Sequence, residues 1–300
     1  PFTFLGSSTD EEAAAFAGGI HHDVLSQLAK ISDLTVISRT SVMQYASTTK
    51  SLDLIAEELG VESILEGSVQ KAGNRVRLSS SLVDAQTGVQ IWSDSWDEEL
   101  TVENIFAIQG ELSQQIAEAL EAELTAEDRA RMQRVEDISQ ETYDLYTRGV
   151  YKTRNLNSAE ELREAAEMLK QVTVMAPNFA KAFAELSFTY QRGIGRGVWT
   201  SAERSADARS AAEQALALDP QLPETHMVMS GLAADDLDFE LAEQYLSEAI
   251  RLAPGEALAY SLYANLLYIT GRPGEALESA KRAVALDPLD ITSRQRLADV

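Results

Sequence analysis

The chain has 300 residues, 45% of them hydrophobic, enough for two domains or for one domain followed by a repeat array. It contains no cysteine, which excludes disulfide frameworks, thiolate nucleophiles and cysteine-based zinc sites. Its net charge of −23 argues against direct binding to nucleic acid or to anionic membrane surfaces, because both need Lys and Arg to displace counterions.

The acidity is uneven: residues 1 to 130 carry 22 acidic against 7 basic side chains, and the remainder 26 against 18. PFTFLG reads as a strand, and STDEEAAAF supplies an N-cap and an acidic first turn for a helix. Phe16, Ile20, Val24, Leu25, Leu28 and Ile31 recur at helical spacing, and LTVISRTSV then reads as a β-branched strand. SLDLIAEELG is a short helix closed by Gly60. Three extended runs, near 61 to 69, 75 to 83 and 89 to 96, are separated by turn-forming KAGN and DAQTG and predict an antiparallel meander. A helix from about 103 to 124 places Ile105, Ile108, Leu112, Ile116 and Leu120 on one stripe to cover a sheet face. Residues 1 to 130 therefore read as an α/β domain with a mixed sheet.

After AEDRARMQRVED the strand signal vanishes. Pro220, Pro254 and Pro288 stand 34 residues apart, each closing a similar stretch (ALALDP, AIRLAP, AVALDP), the period of a stacked helical hairpin. With each proline at position 32 of its unit, alanine falls at positions 20 and 27 in all three: Ala208 and Ala215, Ala242 and Ala249, Ala276 and Ala283. Small residues there let the two helices of a hairpin cross closely. Tyr260 and Leu267 fall where the first helix packs, and Gly271 falls in the hairpin turn. Pro177 precedes Pro220 by 43 residues, which puts nine extra residues in that unit, expected within RGIGRGVWTSAERS. This pattern resembles the tetratricopeptide repeat (TPR), with units at 139–177, 178–220, 221–254 and 255–288 and the first helix of a fifth, an all-α superhelical array. The chain reads as a piece cut at both ends.

The front domain carries GGIHHDVLSQLAKISDLTVISRTS, then ELGV, LEGSV, AGNRVR and LVDAQTG, and these resemble the TolB amino-terminal-like domain that precedes TPR units in bacterial signalling proteins. The resemblance implies a parent with an N-terminal class III adenylate or guanylate cyclase, a CadC-type winged-helix regulator or a Ser/Thr kinase, often with a membrane span between. On that analogy an extracytoplasmic position is favoured over the cytoplasm. Trp96 stands where many relatives have Tyr. Cyclase aspartates, kinase loops and a winged helix have no counterpart in these residues.

Chemistry-bearing motifs are sparse. His21 and His22, adjacent on a helix, diverge by about 100° and cannot chelate one ion together, so a surface or interface role is expected. His226 falls at a hairpin packing position. DDLDFE lacks the glycine and closing carboxylate of a calcium loop, GIGRG lacks the third spaced glycine of a dinucleotide loop, and no GxSxG, P-loop or HExxH occurs. No cofactor, metal or catalytic residue is assigned. The expected functional surface is the concave TPR face, at Lys181, Ala184, Phe188, Gln191 and Arg192, then Glu224, Met227 and Asp235, then Leu258, Ser261, Asn265, Tyr268 and Ile269. Its apolar anchors, amides and cations suit a peptide or partner helix, with the front domain or a second copy of the chain as alternative occupants. The segment is expected to be a non-catalytic sensory and protein-interaction module. A reading of another class is a small-molecule receptor in the α/β domain, with Trp92 and Trp96, on one face of a strand, as a stacking platform. No stretch reaches the roughly 20 apolar residues of a membrane helix.

Overall fold

A computed structural model describes residues 2–4, 11–46, 48–72, 74–133, 135–155 and 158–299. The chain forms two compact units, one of residues 1–135, 254–261 and 277–300, the other of 136–253 and 262–276.

In the first unit, β1 (Phe2–Phe4) leads to α1 (Glu11–Leu28); the expected N-cap of α1 lies outside the described residues. A short helix α2 (Arg39–Val42) runs into a 3-10 turn (Met43–Tyr45), followed by α3 (Leu52–Leu59), β2 (Ser63–Ala72), β3 (Arg75–Asp84), β4 (Gln90–Glu99), α4 (Val102–Ala119) and α5 (Ala126–Met132). The sheet order is β1-β2-β3-β4, with β1 parallel to β2 and the other pairs antiparallel. On β3, Val76, Leu78, Ser80 and Leu82 are buried, the period-2 pattern of a strand with one covered face. α4 is capped by Thr101, which accepts from Asn104 N–H, and buries Ile105, Ile108, Leu112 and Ile116 of its predicted stripe; it ends at Ala119, short of the expected 124, and leaves Leu120 half-buried at its C-cap. Gly60 ends α3 at φ 68°, a left-handed geometry that glycine adopts at little cost.

LTVISRTSV is not a strand. Residues 34–38 are irregular, Ser38 caps α2 through Thr40 N–H, and Ile37 joins a buried cluster with Tyr45, Ile55 and Leu59. A β-branched run forms a strand only where a partner edge is available, and here tertiary burial claims it instead.

The later residues form α6 (Gln140–Arg154), α7 (Ala159–Met175), α8 (Ala180–Gly195), α9 (Ser201–Leu218), α10 (Pro223–Asp235), α11 (Phe239–Leu252), α12 (Ala257–Ile269), α13 (Pro273–Leu286) and α14 (Ile291–Asp299). In the second unit α6 packs on α7, α8 on α9 and α10 on α11, and the first helices α6, α8 and α10 are successive neighbours. Pro177, Pro220, Pro254 and Pro288 each stand two residues past a helix end. Ala208, Ala215, Ala242, Ala249, Ala276 and Ala283 are almost wholly buried, so the small side chains sit where backbones approach. The nine extra residues are mostly helical: α8 exceeds α10 by three and α9 exceeds α11 by four, and two more lengthen the connection. A Cβ at Gly193, inside α8, would come within 2.3 Å of the Trp199 ring, so the ring packs directly on the helix backbone there.

Part of the first unit comes from residues more than 200 positions further along the chain. Ser38 N–H donates to Leu286 O at 2.8 Å, and Gly255 N–H to Ala29 O at 2.8 Å. Ser41, fully buried, donates its hydroxyl to the Asp287 carboxylate and accepts from Leu289 N–H at 2.8 Å. Leu289 packs against the Ile37, Tyr45, Ile55 and Leu59 cluster.

Candidate functional site

Phe188, half-buried on α8, is the centre of a cationic and aromatic cluster. The Arg154 guanidinium, from the last turn of α6, lies 5.3 Å from its ring centroid and Arg192, one turn along α8, lies 5.9 Å away. Both distances allow cation–π attraction. Arg154 also pairs with the buried Glu185. Burial, then the neighbouring Arg196 and Arg154, hold the Arg192 guanidinium below its ordinary pKa, and its Nε has no hydrogen-bond partner among the described residues. Gln191 donates to Val228 O at 3.0 Å, tying α8 to α10. Lys181 is half-buried at the start of the same helix, and Ala184 is buried.

A second patch of this unit lies on the later part of α12. Leu262, Tyr263 and Leu266 pack with Ala233, Ala242 and Leu246, while Asn265 is exposed, Tyr268 is 49% exposed and Ile269 53% exposed. Tyr263 donates to Glu243 at 2.9 Å and Arg272 pairs with the same carboxylate at 2.8 Å, which orders the helix end below the patch.

Other predicted residues are placed differently. Met227 is buried in α10, and Glu224 is half-buried beside it. Asp235 is exposed at the α10 end, where the α10–α11 turn passes through Leu237 at φ 63° and Asp238 caps α11. In the first unit Leu258 is half-buried, and Ser261 is buried with its hydroxyl 3.4 Å from that of Ser293. Ser293 belongs to α14, so the helix after the last proline covers Ser261 and removes it from any open face. His226 is also buried, with Nε2 2.7 Å from Pro220 O and its ring 5.9 Å from Tyr245.

Trp92 and Trp96 share a face of β4 with centroids 6.2 Å apart, inclined by 41°. Their indole N–H groups donate to Gln115 and Glu111 of α4, each at 3.1 Å. Trp96 is buried and Trp92 half-buried, so the pair is engaged in seating α4 on the sheet.

The same unit holds a cavity of about 400 Å³ that the two tryptophans do not line. Val24 and Leu28 of α1, Ile37, Ile55 of α3 and Ile116 of α4 supply its apolar wall. His21, for which a surface or interface role was expected, lies on the lining and is buried, which rules out the surface half of that expectation, and burial lowers its imidazole to about 3, so it is neutral. Exposed Lys50 also lines the cavity; it pairs with Glu58, which accepts in turn from Tyr45 Oη at 2.6 Å. Nothing in the sequence pattern signalled this space, because its walls are drawn from many separate segments of the chain.

The chain is similar to solved TPR proteins. A thermophilic TPR protein of Thermus thermophilus matches at a TM-score of 0.45 and 18% identity, over 66% of this chain and 89% of that one. Pseudomonas aeruginosa PilF matches at 0.41 and 17%, over 53% and 68%. In sequence, the chain is 33% identical over 228 residues to a Rhizobium meliloti (strain 1021) protein provisionally named adenylate cyclase 3. The match covers 76% of this chain and spans 38% of that relative's length. No protein-family model matches the chain. Among the described residues no helix is long and apolar enough to cross a membrane.

Proposed function

We propose that this segment is a non-catalytic protein-interaction module of a bacterial signalling protein of the adenylate cyclase type. In this reading residues 1–130 are a TolB amino-terminal-like domain and 139–300 a TPR superhelical array that captures an extended peptide or a partner helix. The observation that carries it is the cluster of Phe188 between Arg154 and Arg192 on a first-helix face, in a chain of net charge −23. Two guanidiniums beside an accessible ring favour a ligand that brings a carboxylate next to an apolar side chain. Tyr268 and Ile269 supply a further apolar anchor, and Asn265 an amide for a peptide backbone. The kinship in sequence to the Rhizobium protein supports the signalling context.

Selection of a random peptide library on the purified chain tests this. The expected result is enrichment of peptides with acidic and aromatic or aliphatic residues, lost from the folded double variant Asn265→Ala with Tyr268→Ala and weakened in Arg192→Met. Absence of enrichment, or unchanged affinity in both variants, refutes the groove assignment.

A further inference from the structure

The cavity of the α/β unit is more than a packing fault. At about 400 Å³ it falls in the range of small-molecule sites, which run from about 300 to 1,000 Å³. Its wall is mainly apolar, contributed by α1, the irregular segment before α2, the stretch from Val42 to Lys50, α3, β2, Leu82 of β3 and α4. An apolar guest satisfies such a wall by contact alone.

The polar groups on the lining limit the guest's chemistry. Lys50 is already matched by Glu58, so the cationic group is locally neutralised. Glu66 also lines the cavity, and the unit is strongly acidic, which disfavours an anionic head. The hydroxyls of Thr35, Thr48 and Ser63, all on the lining, can exchange one or two hydrogen bonds with a hydroxyl or carbonyl. We propose that this cavity binds an uncharged, largely apolar small molecule of about ten to a dozen heavy atoms bearing one hydroxyl or carbonyl.

Occupancy has a direct route to Leu289. Tyr45, Ile37 and Ile55 form both the cavity wall and the cluster on which Leu289 packs, and Ser41, in the helix beside Val42 of the lining, binds Leu289 N–H and Asp287. A guest that reshapes this wall is therefore sensed at Leu289.

The test is a methyl-resolved NMR titration of the full chain with 1-decanol, compared with decanoate. Saturable shifts at Val24, Leu28, Ile37, Ile55 and Leu289, with decanoate at least ten times weaker, support the proposal. Leu34→Trp and Val42→Trp place a bulky ring at half-buried positions of the lining; in whichever variant keeps its unfolding temperature, 1-decanol binding should fall at least tenfold. Should both variants unfold, a dose-dependent rise in the unfolding temperature of the unmodified chain with 1-decanol, absent with decanoate, takes their place. No saturable shift and no such rise, equal binding of decanoate, or unaltered binding in a folded variant overturns it.

Discussion

Ser41→Ala should be among the most destabilising single-atom deletions in the first unit. The hydroxyl is fully buried and serves two groups at once, donating to the Asp287 carboxylate and accepting from Leu289 N–H at 2.8 Å. A hydrogen bond to a charged group contributes about 1.5–3 kcal/mol and an unsatisfied buried donor costs about 1–3 kcal/mol, so their overlap points to a loss of about 3 kcal/mol at neutral pH. Asp287→Asn removes the charge whose burial the hydroxyl compensates, so the Ser41→Ala cost should shrink by about 1.5 kcal/mol in that background. Urea unfolding can report on this unit alone in a Trp199→Phe background, because the remaining tryptophans, Trp92 and Trp96, both lie in it. A cost below about 1 kcal/mol, or strict additivity with Asp287→Asn, would refute the two-sided role of the hydroxyl.

Burial, outweighing the hydroxyls of Ser41 and Ser38, holds the Asp287 carboxyl above the ordinary carboxylate range. The folded state therefore binds this proton more tightly than the unfolded state. Its contribution is complete below the unfolded value of 3.8 and is lost as pH rises through the raised value; Asp287→Asn should abolish that slope in pH-dependent unfolding. His21 acts in the opposite sense, since its pKa is lowered from 6.5 to about 3: stability should fall as pH drops below 6.5, by at most about 1.4 kcal/mol per pH unit, and His21→Gln should remove that slope. Gly110→Ala sets a Cβ 2.0 Å from the Met132 carbonyl oxygen, a backbone atom, so α5 must shift and unfolding should cost about 2 kcal/mol less, measured by urea titration. Gly193→Ala meets instead the half-buried Trp199 ring; the expected result is a changed Trp199 emission from a broken edge contact with Tyr190, now 5.6 Å between centroids, and an unchanged spectrum would count against the close packing.

The parts of the fold that repeat or alternate were legible in the sequence. Val76, Leu78 and Leu82 announce a half-covered strand by their spacing, and the prolines after α9, α11 and α13 mark hairpin ends by their period. What escaped depends on partners far along the chain. LTVISRTSV has strand composition, yet no strand pairs with it among the described residues, and Ile37 is drawn into a cluster completed by Leu289. Ser261 occupies a first-helix position like those of exposed groove residues, but α14 covers it. The Phe188 and Arg192 pair was visible as helical spacing, whereas Arg154 reaches it from another helix and carried no local signal. The cavity was invisible for the same reason, since a wall shared among distant segments has no period.

The hydrogen bond from Ser41 to Asp287 closes a sequence separation of 246 residues. During synthesis the amino-terminal part emerges first, and domains usually fold in that order as they leave the ribosome. Here Ile37, Ile55 and Leu59 must wait for Leu289 to complete their cluster, long after the hairpins between have had time to form from local contacts. The unit that is translated first is thus finished after the one that follows it, and a nascent chain holds an unsatisfied apolar surface until Leu289 has been made.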